Sequence, residues 1–484
     1  MMKIINKYEN IPIQLKASLW FLLCSFLQKG ISMITTPIFT RLLSADEYGS
    51  FGTFNSWYSI IYIIVSMNLA SGVYTTAMVK HNNDKKILAS SYQGLTLLLC
   101  SSWTIVYLSA INFWNALFSL TTVQMLALLL MIWTSSAFSL WCVEQRVTYS
   151  YKKLVLVTVL VSLAKPFLGI LFVCNSDDKV TARIIGLAIV ELLAYSPLGI
   201  YQMIRGGRLF SKKYWAYVFK YSLPLIPHAL SQTILSSADR IMIRDMVGES
   251  QAGYYNLAYS ISLIMIIFNT ALSQTLAPWT YQKLKANKAE DINDVALFST
   301  RLVAALNILL IILAPEIMSI FAPSEYADAV YVIPPIAMSV FFMYLYDWFA
   351  RFEYYYEKTY LILIASISGA TLNLILNYLL IPIFGYISAG YSTLICYIVY
   401  SFMHYFFMKK IVKEKLPGRK IYNIKKVLII SVVFIGGGIG ILITYNHIVI
   451  RYCCLVLVLI FAFFKRKILI EKSMDIMNIR KTHK

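Results

Sequence analysis

The feature that most restricts this chain is a repeated apolar run. About fourteen stretches of roughly 20 predominantly apolar residues follow one another, the length a helix needs to cross a hydrocarbon layer ~30 Å thick. They lie near 16–39, 51–73, 90–112, 123–143, 154–174, 183–203, 221–243, 254–277, 297–321, 330–350, 360–382, 387–408, 427–445 and 448–464. Inside hydrocarbon each backbone N–H and C=O must be bonded within the segment, so runs of this length read as helices. Composition agrees: 14% of the 484 residues are charged and 59% hydrophobic, against about 25% charged in an ordinary soluble domain. Mean hydropathy is +0.67. The chain reads as an all-α polytopic membrane protein, and no span-free region is long enough to fold as a separate domain.

The placement of Lys and Arg sets the expected orientation. One set of loops carries Lys80, Lys85 and Lys86, then Arg146, Lys152 and Lys153, then Arg205, Arg208, Lys212, Lys213 and Lys220. It continues with Lys283, Lys285, Lys288, Arg351, Lys358 and the basic stretch from Lys409 to Lys426. The opposite loops hold Arg41, Lys179, Arg183, Arg244 and Arg451, with Arg240 at a span end. Positive charge gathers on the cytoplasmic side, so both termini, themselves basic, are expected there. The net charge of +20 is thereby assigned to contact with anionic lipid headgroups rather than nucleic acid. Among the inner loops, Thr75–Ser91, Tyr281–Phe298 and Lys409–Lys426 are long enough for surface helices. The first run is long and lacks a small-residue cleavage site, so it reads as a retained span. The seven cysteines lie in or beside apolar runs without metal-like spacing, which suits packing rather than a metal or disulfides.

A polar stripe and a repeat organise the middle of the chain. His228, Gln232, Ser236, Arg240 and Arg244 recur every four residues and fall on one slowly winding face of a helix. Such a face is costly against lipid and belongs toward protein or a wet interior. Shifted by a constant 204 positions, Ser222, Gln232, Ser236, Gly253, Ser260 and Ile264 fall on Ser18, Gln28, Ser32, Gly49, Ser56 and Ile60. The constant register predicts a duplicated bundle: 1–204 as the first, 205–410 as the second, and 411–484 as two extra spans with a basic tail.

Three stretches, TPIFTRLLSADEYGSFGTFNSW (Thr36–Trp57), SLPLIPHALSQTILSSADRIMIRDMVGESQAGYYNLAYSI (Ser222–Ile261) and LNLILNYLLIPIFGYISAGYSTLICY (Leu372–Tyr397), carry a resemblance. The chain resembles the polysaccharide repeat-unit (O-antigen and capsule) flippases of the multidrug/oligosaccharidyl-lipid/polysaccharide exporter superfamily. The resemblance implies two pseudo-symmetric six-helix bundles around a central cavity, plus two C-terminal helices, in the bacterial cytoplasmic (inner) membrane. It implies an undecaprenyl-pyrophosphate-linked oligosaccharide as substrate, moved from the inner to the outer leaflet, and leaves room for other polysaccharide-assembly membrane proteins as partners.

Ionisable residues deep in spans are the candidates for such work, because a phosphate needs cations and sugars need hydroxyl or amide partners. Lys29, Lys165 and Arg240, with Gln28, His228 and Gln232, are the expected substrate-binding residues. Lys29 lies mid-span, too deep to snorkel easily; snorkelling or a structural ion pair is the alternative. Lys165 stands beside Pro166, with Glu191 at similar depth in the next span, so these two can pair structurally or respond to protons. Arg240 can equally be an interfacial arginine on headgroups, and His228 a histidine bonded to a neighbour. Glu191, Asp239, Asp347 and Arg351 are the expected coupling or gating residues; the i, i+4 spacing of the last two favours a local ion pair. Arg41, Asp46 and Glu47 read as a network at the outer mouth, and Gly436–Gly440 offers G-x-x-x-G spacing for close helix packing.

Enzymatic signatures are missing: the sequence holds no D-x-D, G-x-S-x-G, H-E-x-x-H or P-loop. The expectation is a non-enzyme without cofactor or metal, a carrier driven by a gradient or a partner. Two rivals remain. A multidrug or cation antiporter of the same superfamily calls for an acidic cavity, and a membrane polysaccharide polymerase or transferase calls for larger outer loops.

Overall fold

The computed structural model describes residues 13–467 and 471. The expected basic tail and the N-terminal dozen residues lie largely outside these. Among the described residues the regular structure is helical, with no strand. By internal contacts the chain divides into two compact units, Met1–Ser237 and Ala238–Lys484.

Unit 1 holds α1 (Ile13–Leu42), α2 (Ala45–Ser66), α3 (Gly72–Lys80), α4 (Lys85–Ser109), α5 (Ile111–Phe118), α6 (Thr122–Val147), α7 (Tyr151–Cys174), α8 (Lys179–Gly206) and α9 (Lys212–Tyr221). Helix α10 (Ile226–Met246) runs across the division. Unit 2 continues with α11 (Glu249–Lys285), α12 (Ile292–Ile312), α13 (Ala314–Phe321), α14 (Ile333–Tyr355), α15 (Thr359–Phe384), α16 (Ile387–Lys415), α17 (Ile424–Ile443) and α18 (Ile448–Phe464). Each expected span lies on one or more of these helices. Among the described residues nine are long and apolar enough to cross a membrane, and α4 with α5, bent by 99° at their junction, makes a tenth. Helix α18 is shorter, while α2, α10 and α16 carry more polar residues than a lipid-facing span tolerates.

The repeat reappears in the helix boundaries. Helix α1 ends at Leu42 and α10 at Met246; α2 begins at Ala45 and α11 at Glu249, the same register shift read in the sequence. The short α5 after α4 is matched by the short α13 after α12, and α6, α7 and α8 are followed in order by α14, α15 and α16. The halves differ after their second helix. Unit 1 breaks where Met67 and Asn68 take left-handed conformations, φ 50° and 49°, whereas α11 runs on through the equivalent positions.

Local chemistry explains several boundaries. Ser44 Oγ accepts the Glu47 N–H at 3.2 Å and the Glu47 carboxylate accepts the Ser44 N–H at 2.8 Å, a capping box that starts α2. Glu47 also lies 3.9 Å from Lys179 Nζ, so its carboxylate serves the start of α2 and a tie to the start of α8 together. Thr121 and Gln124 start α6 in the same way. Arg183 stands with its guanidinium 3.6 Å from the ring centres of both Phe39 and Phe51, which ties α8 to α1 and α2.

The hub of each unit is the corresponding helix. Helices α6 and α14 are the most deeply buried of the long apolar helices; α6 packs chiefly on α8 and α14 on α16. Gly206 permits the close approach of α8 to α4, since a Cβ there would lie 2.2 Å from the Lys86 carbonyl oxygen.

Two local expectations are corrected. Of the expected surface segments, Thr75–Ser91 and Tyr281–Phe298 are filled by helix ends and 3-10 turns, and Lys409–Lys426 by the end of α16, a turn and the start of α17. The separate amphipathic helix is instead α9, where Tyr214 donates to Asp84 at 2.9 Å and Trp215 Nε1 to the Ser91 carbonyl at 3.0 Å. Burial, reinforced by the Asp84 carboxylate, pushes the Tyr214 hydroxyl up to about 12. The glycine run of α17 packs through its middle: Gly436 and Gly440 face open space, while a Cβ on Gly438 would meet Met338 Sδ at 2.9 Å. The i, i+4 pair therefore does not make the contact, because the residue two positions on faces the neighbouring helix.

Candidate functional site

Polar side chains gather inside each unit. In unit 1, Lys165 Nζ on α7 donates to Glu191 Oε1 on α8 at 2.6 Å. The other carboxylate oxygen accepts from Ser135 at 2.9 Å and Thr134 at 3.1 Å, both on α6. Glu191 is buried, and the Lys165 side chain keeps 29% exposure. The Lys165 ammonium also lies 5.6 Å from the centre of the Tyr195 ring, which stacks on Phe138 at 3.9 Å. Pro166 lies inside α7 one residue on, and proline in a helix leaves a carbonyl unbonded. The expected Lys165–Glu191 pair thus exists; the hydroxyls of α6 were not foreseen.

A neighbouring cavity of about 350 Å³ is lined by Phe21, Gln28, Tyr62, Asn68, Ser139 and Arg146, among others. Gln28 is among its walls. Lys29, one residue on, is exposed and has no hydrogen-bond or ion-pair partner among the described residues. His228 and Gln232, on the part of α10 that belongs to unit 1, are half-buried.

In unit 2, Asp239 is almost wholly buried. Its carboxylate accepts from Tyr255 at 2.5 Å, Asn377 Nδ2 at 2.6 Å and Thr393 at 3.0 Å, which come from α11, α15 and α16. Asn377 donates further to Asn373 at 3.2 Å. Arg240, also buried, turns elsewhere and lies 4.3 Å from the Tyr259 ring centre. The divergence of Asp239 and Arg240 follows from the roughly 100° between consecutive helix positions. The amides of NLILNY stand four residues apart within an apolar run, a signal present in the sequence.

Nearer the basic-loop end of unit 2, Arg351 donates to Asp347 at 2.8 Å, as its spacing predicts, and to Ser273 and Thr280 on α11 at 3.1 Å each. Ser273 donates to the same Asp347 oxygen, and the guanidinium sits 3.8 Å from the Trp348 ring centre. Two buried clusters escaped the sequence reading. In unit 1, Glu144 on α6 accepts from Gln202 and Arg205 on α8 at 2.5 Å each. In unit 2, Glu353 on α14 and His404 on α16 meet at 2.7 Å with neither side chain exposed. Their partners stand some fifty residues apart or more, beyond any local spacing rule.

The profile of the family described as polysaccharide biosynthesis protein matches residues 14–284. The chain belongs to that family. A second profile, MatE, matches residues 224–379. Among relatives of this family member, the Lsg locus putative protein 1 of Haemophilus influenzae is 20% identical over 355 residues, 72% of this chain and 86% of the relative. The probable low-salt glycan biosynthesis flippase Agl15 of Haloferax volcanii is 25% identical over 202 residues, 41% of this chain and 43% of its own. The fold is similar to that of the lipid II flippase MurJ in an inward closed conformation, with TM-score 0.69 and 16% identity over 93% of this chain and 99% of that one. The expected kinship with the polysaccharide flippases of the exporter superfamily holds, and the protein is a multi-pass membrane protein.

Proposed function

We propose that the protein is a flippase for a lipid-linked oligosaccharide. The finer reading is an undecaprenyl-pyrophosphate-linked repeat unit carried from the inner to the outer leaflet of the bacterial cytoplasmic membrane, for O-antigen or capsule synthesis. The family match over residues 14–284 carries this reading. Support comes from buried polar clusters on several spans, which are costly in a merely structural membrane bundle. An apolar groove of about 910 Å³ between α12, α17 and α18, with Arg301 and Lys426 among its lining, is of a kind to take a polyprenyl chain and its charged head.

In this reading the bundles 1–204 and 205–410 alternate access, with 411–484 as an addition. Lys29, Lys165 and Arg240 hold phosphate or acidic sugar; Gln28, His228 and Gln232 meet hydroxyl groups. Glu191, Asp239, Asp347 and Arg351 couple or gate, and no chemical turnover occurs. The test replaces Lys29 or Arg240 by Ala: surface polysaccharide is lost while membrane levels of the protein stay normal. Unchanged polymer in both variants removes these two residues from the site. The MatE match supports a second reading, a drug or cation antiporter; the basic candidates Lys29, Lys165 and Arg240 favour an anionic substrate instead. Deleting the gene decides between them, since the flippase reading requires a lipid-linked oligosaccharide to accumulate on the cytoplasmic side.

A further inference from the structure

The basic-loop ends of the two units solve one problem in two ways. Each buries a glutamate from its hub helix against the next-but-one helix: Glu144 of α6 against α8, Glu353 of α14 against α16. In unit 1 both carboxylate oxygens are bonded, one to the permanent cation Arg205 and the other to Gln202. In unit 2 the partner is His404, and histidine is the residue type that can both take up and release a proton near neutral pH. Here one bond alone is made, and Glu353 Oε2 and His404 Nε2 are buried without a partner among the described residues. A purely structural pair would be expected to use those atoms, since an unpaired buried polar atom costs ~1–3 kcal/mol.

We propose that Glu353 and His404 form a proton-binding site, and that the proton is the coupling ligand of unit 2. With one proton between them the pair is neutral, as carboxylate and imidazolium or as acid and imidazole. A second proton makes it +1 and loss of the first makes it −1. Each of these charged states is expensive at full burial, so gain or loss of a proton favours a conformation that opens the contact between α14 and α16. That contact is the principal packing surface of unit 2.

The surroundings leave the pair as the titrating element. Tyr346 stacks on the His404 ring at 5.3 Å and Tyr400 meets it edge-on at 4.5 Å. On α14 there are also Tyr354 and the Asp347–Arg351 pair, already bonded within its own cluster. On α16 there is Tyr397 beside Tyr400, whose hydroxyl is within 3.1 Å of Ser366 on α15. Helix α11 contributes Tyr281, stacked on Tyr355; α12 contributes the Ser299 hydroxyl toward Tyr344; α17 contributes Phe434 on Phe341; the segment before α17 contributes Tyr422 on Phe352. Lys358 and Glu414 pair outside, 3.7 Å apart. Among the described residues no further His, Cys, Asp or Glu joins the pair to make a metal-binding group.

The coupling half of this proposal rests on the flippase reading; the proton-binding half does not. The test uses the full chain in lipid nanodiscs and proteoliposomes. Infrared difference spectra between acid and neutral pH are expected to show a carboxyl band that is lost in Glu353→Gln and titrates with a different midpoint in His404→Gln. The same band in all three proteins overturns the site. In proteoliposomes with a fluorescent undecaprenyl-pyrophosphate-linked disaccharide, an imposed pH gradient is expected to speed movement severalfold in the wild type and to leave Glu353→Gln unaffected. Equal acceleration in both overturns proton coupling through this pair, as does wild-type movement indifferent to the gradient. If the wild type moves no such lipid at all, the flippase reading and the coupling fail together, and the spectra alone judge the proton site.

Discussion

Replacing Lys165 by Met separates what the unit 1 ion pair does for stability from what it does for transport. Glu191 is 3% exposed and would be left with only the hydroxyls of Thr134 and Ser135. Removing one member of a buried pair costs ~3–5 kcal/mol, and the 29% exposure of Lys165 puts this case at the lower end, about 3 kcal/mol. For a unit of this size about 1 kcal/mol corresponds to about 2–4 °C, so the apparent Tm should fall by roughly 6–12 °C. Adding Glu191→Gln removes the stranded charge, and most of that loss should return, because replacing both partners of a buried pair is often neutral. The assay is thermal unfolding in nanodiscs at one fixed scan rate, since membrane protein unfolding is rarely reversible. Movement of the lipid-linked probe is measured in parallel: the double variant should be stable and idle, the outcome expected when the pair serves transport as well as fold. Destabilisations that simply add would refute the electrostatic reasoning, and a fully active double variant would refute a substrate role for Lys165.

Two further outcomes test other parts of the molecule. Asp239→Asn puts an amide where Tyr255, Asn377 and Thr393 all donate, so at least one buried donor loses its acceptor at ~1–3 kcal/mol; a lower unfolding temperature with loss of transport is expected, and unchanged unfolding would show that the carboxylate is not what these donors need. Gly438→Val meets Met338 and should cost ~1–3 kcal/mol by overpacking, whereas Gly436→Ala, facing open space, should stabilise the helix by up to ~1 kcal/mol; equal effects of the two in a thermal shift measurement would contradict the packing assigned to α17.

The spans were legible because lipid imposes length and polarity on every one of them, and the duplication because a constant register preserved helix ends. Lys165 with Glu191 and Asp347 with Arg351 could be foreseen from depth and spacing alone. Other features depend on distance across the fold. Nothing near Asp239 in the chain announces Asn377 or Thr393, and His404 meets Glu353 only because α14 and α16 lie together. Helix α9 falls within a basic loop in the sequence, because the lysines and aromatic residues of KKYWAYVFKY cancel in hydropathy. The glycine run of α17 misled in the opposite way, since spacing names a motif while only packing decides which glycine faces a neighbour.

The break at Met67 and Asn68 gives unit 1 a joint that unit 2 lacks. At such a place the axis can swivel with few helical hydrogen bonds to rupture, while α11 runs on through the equivalent positions and has its ladder interrupted only further along, at Pro278. Under the proposed alternation the two halves would bend at different points, so duplicated sequences need not make symmetrical machines.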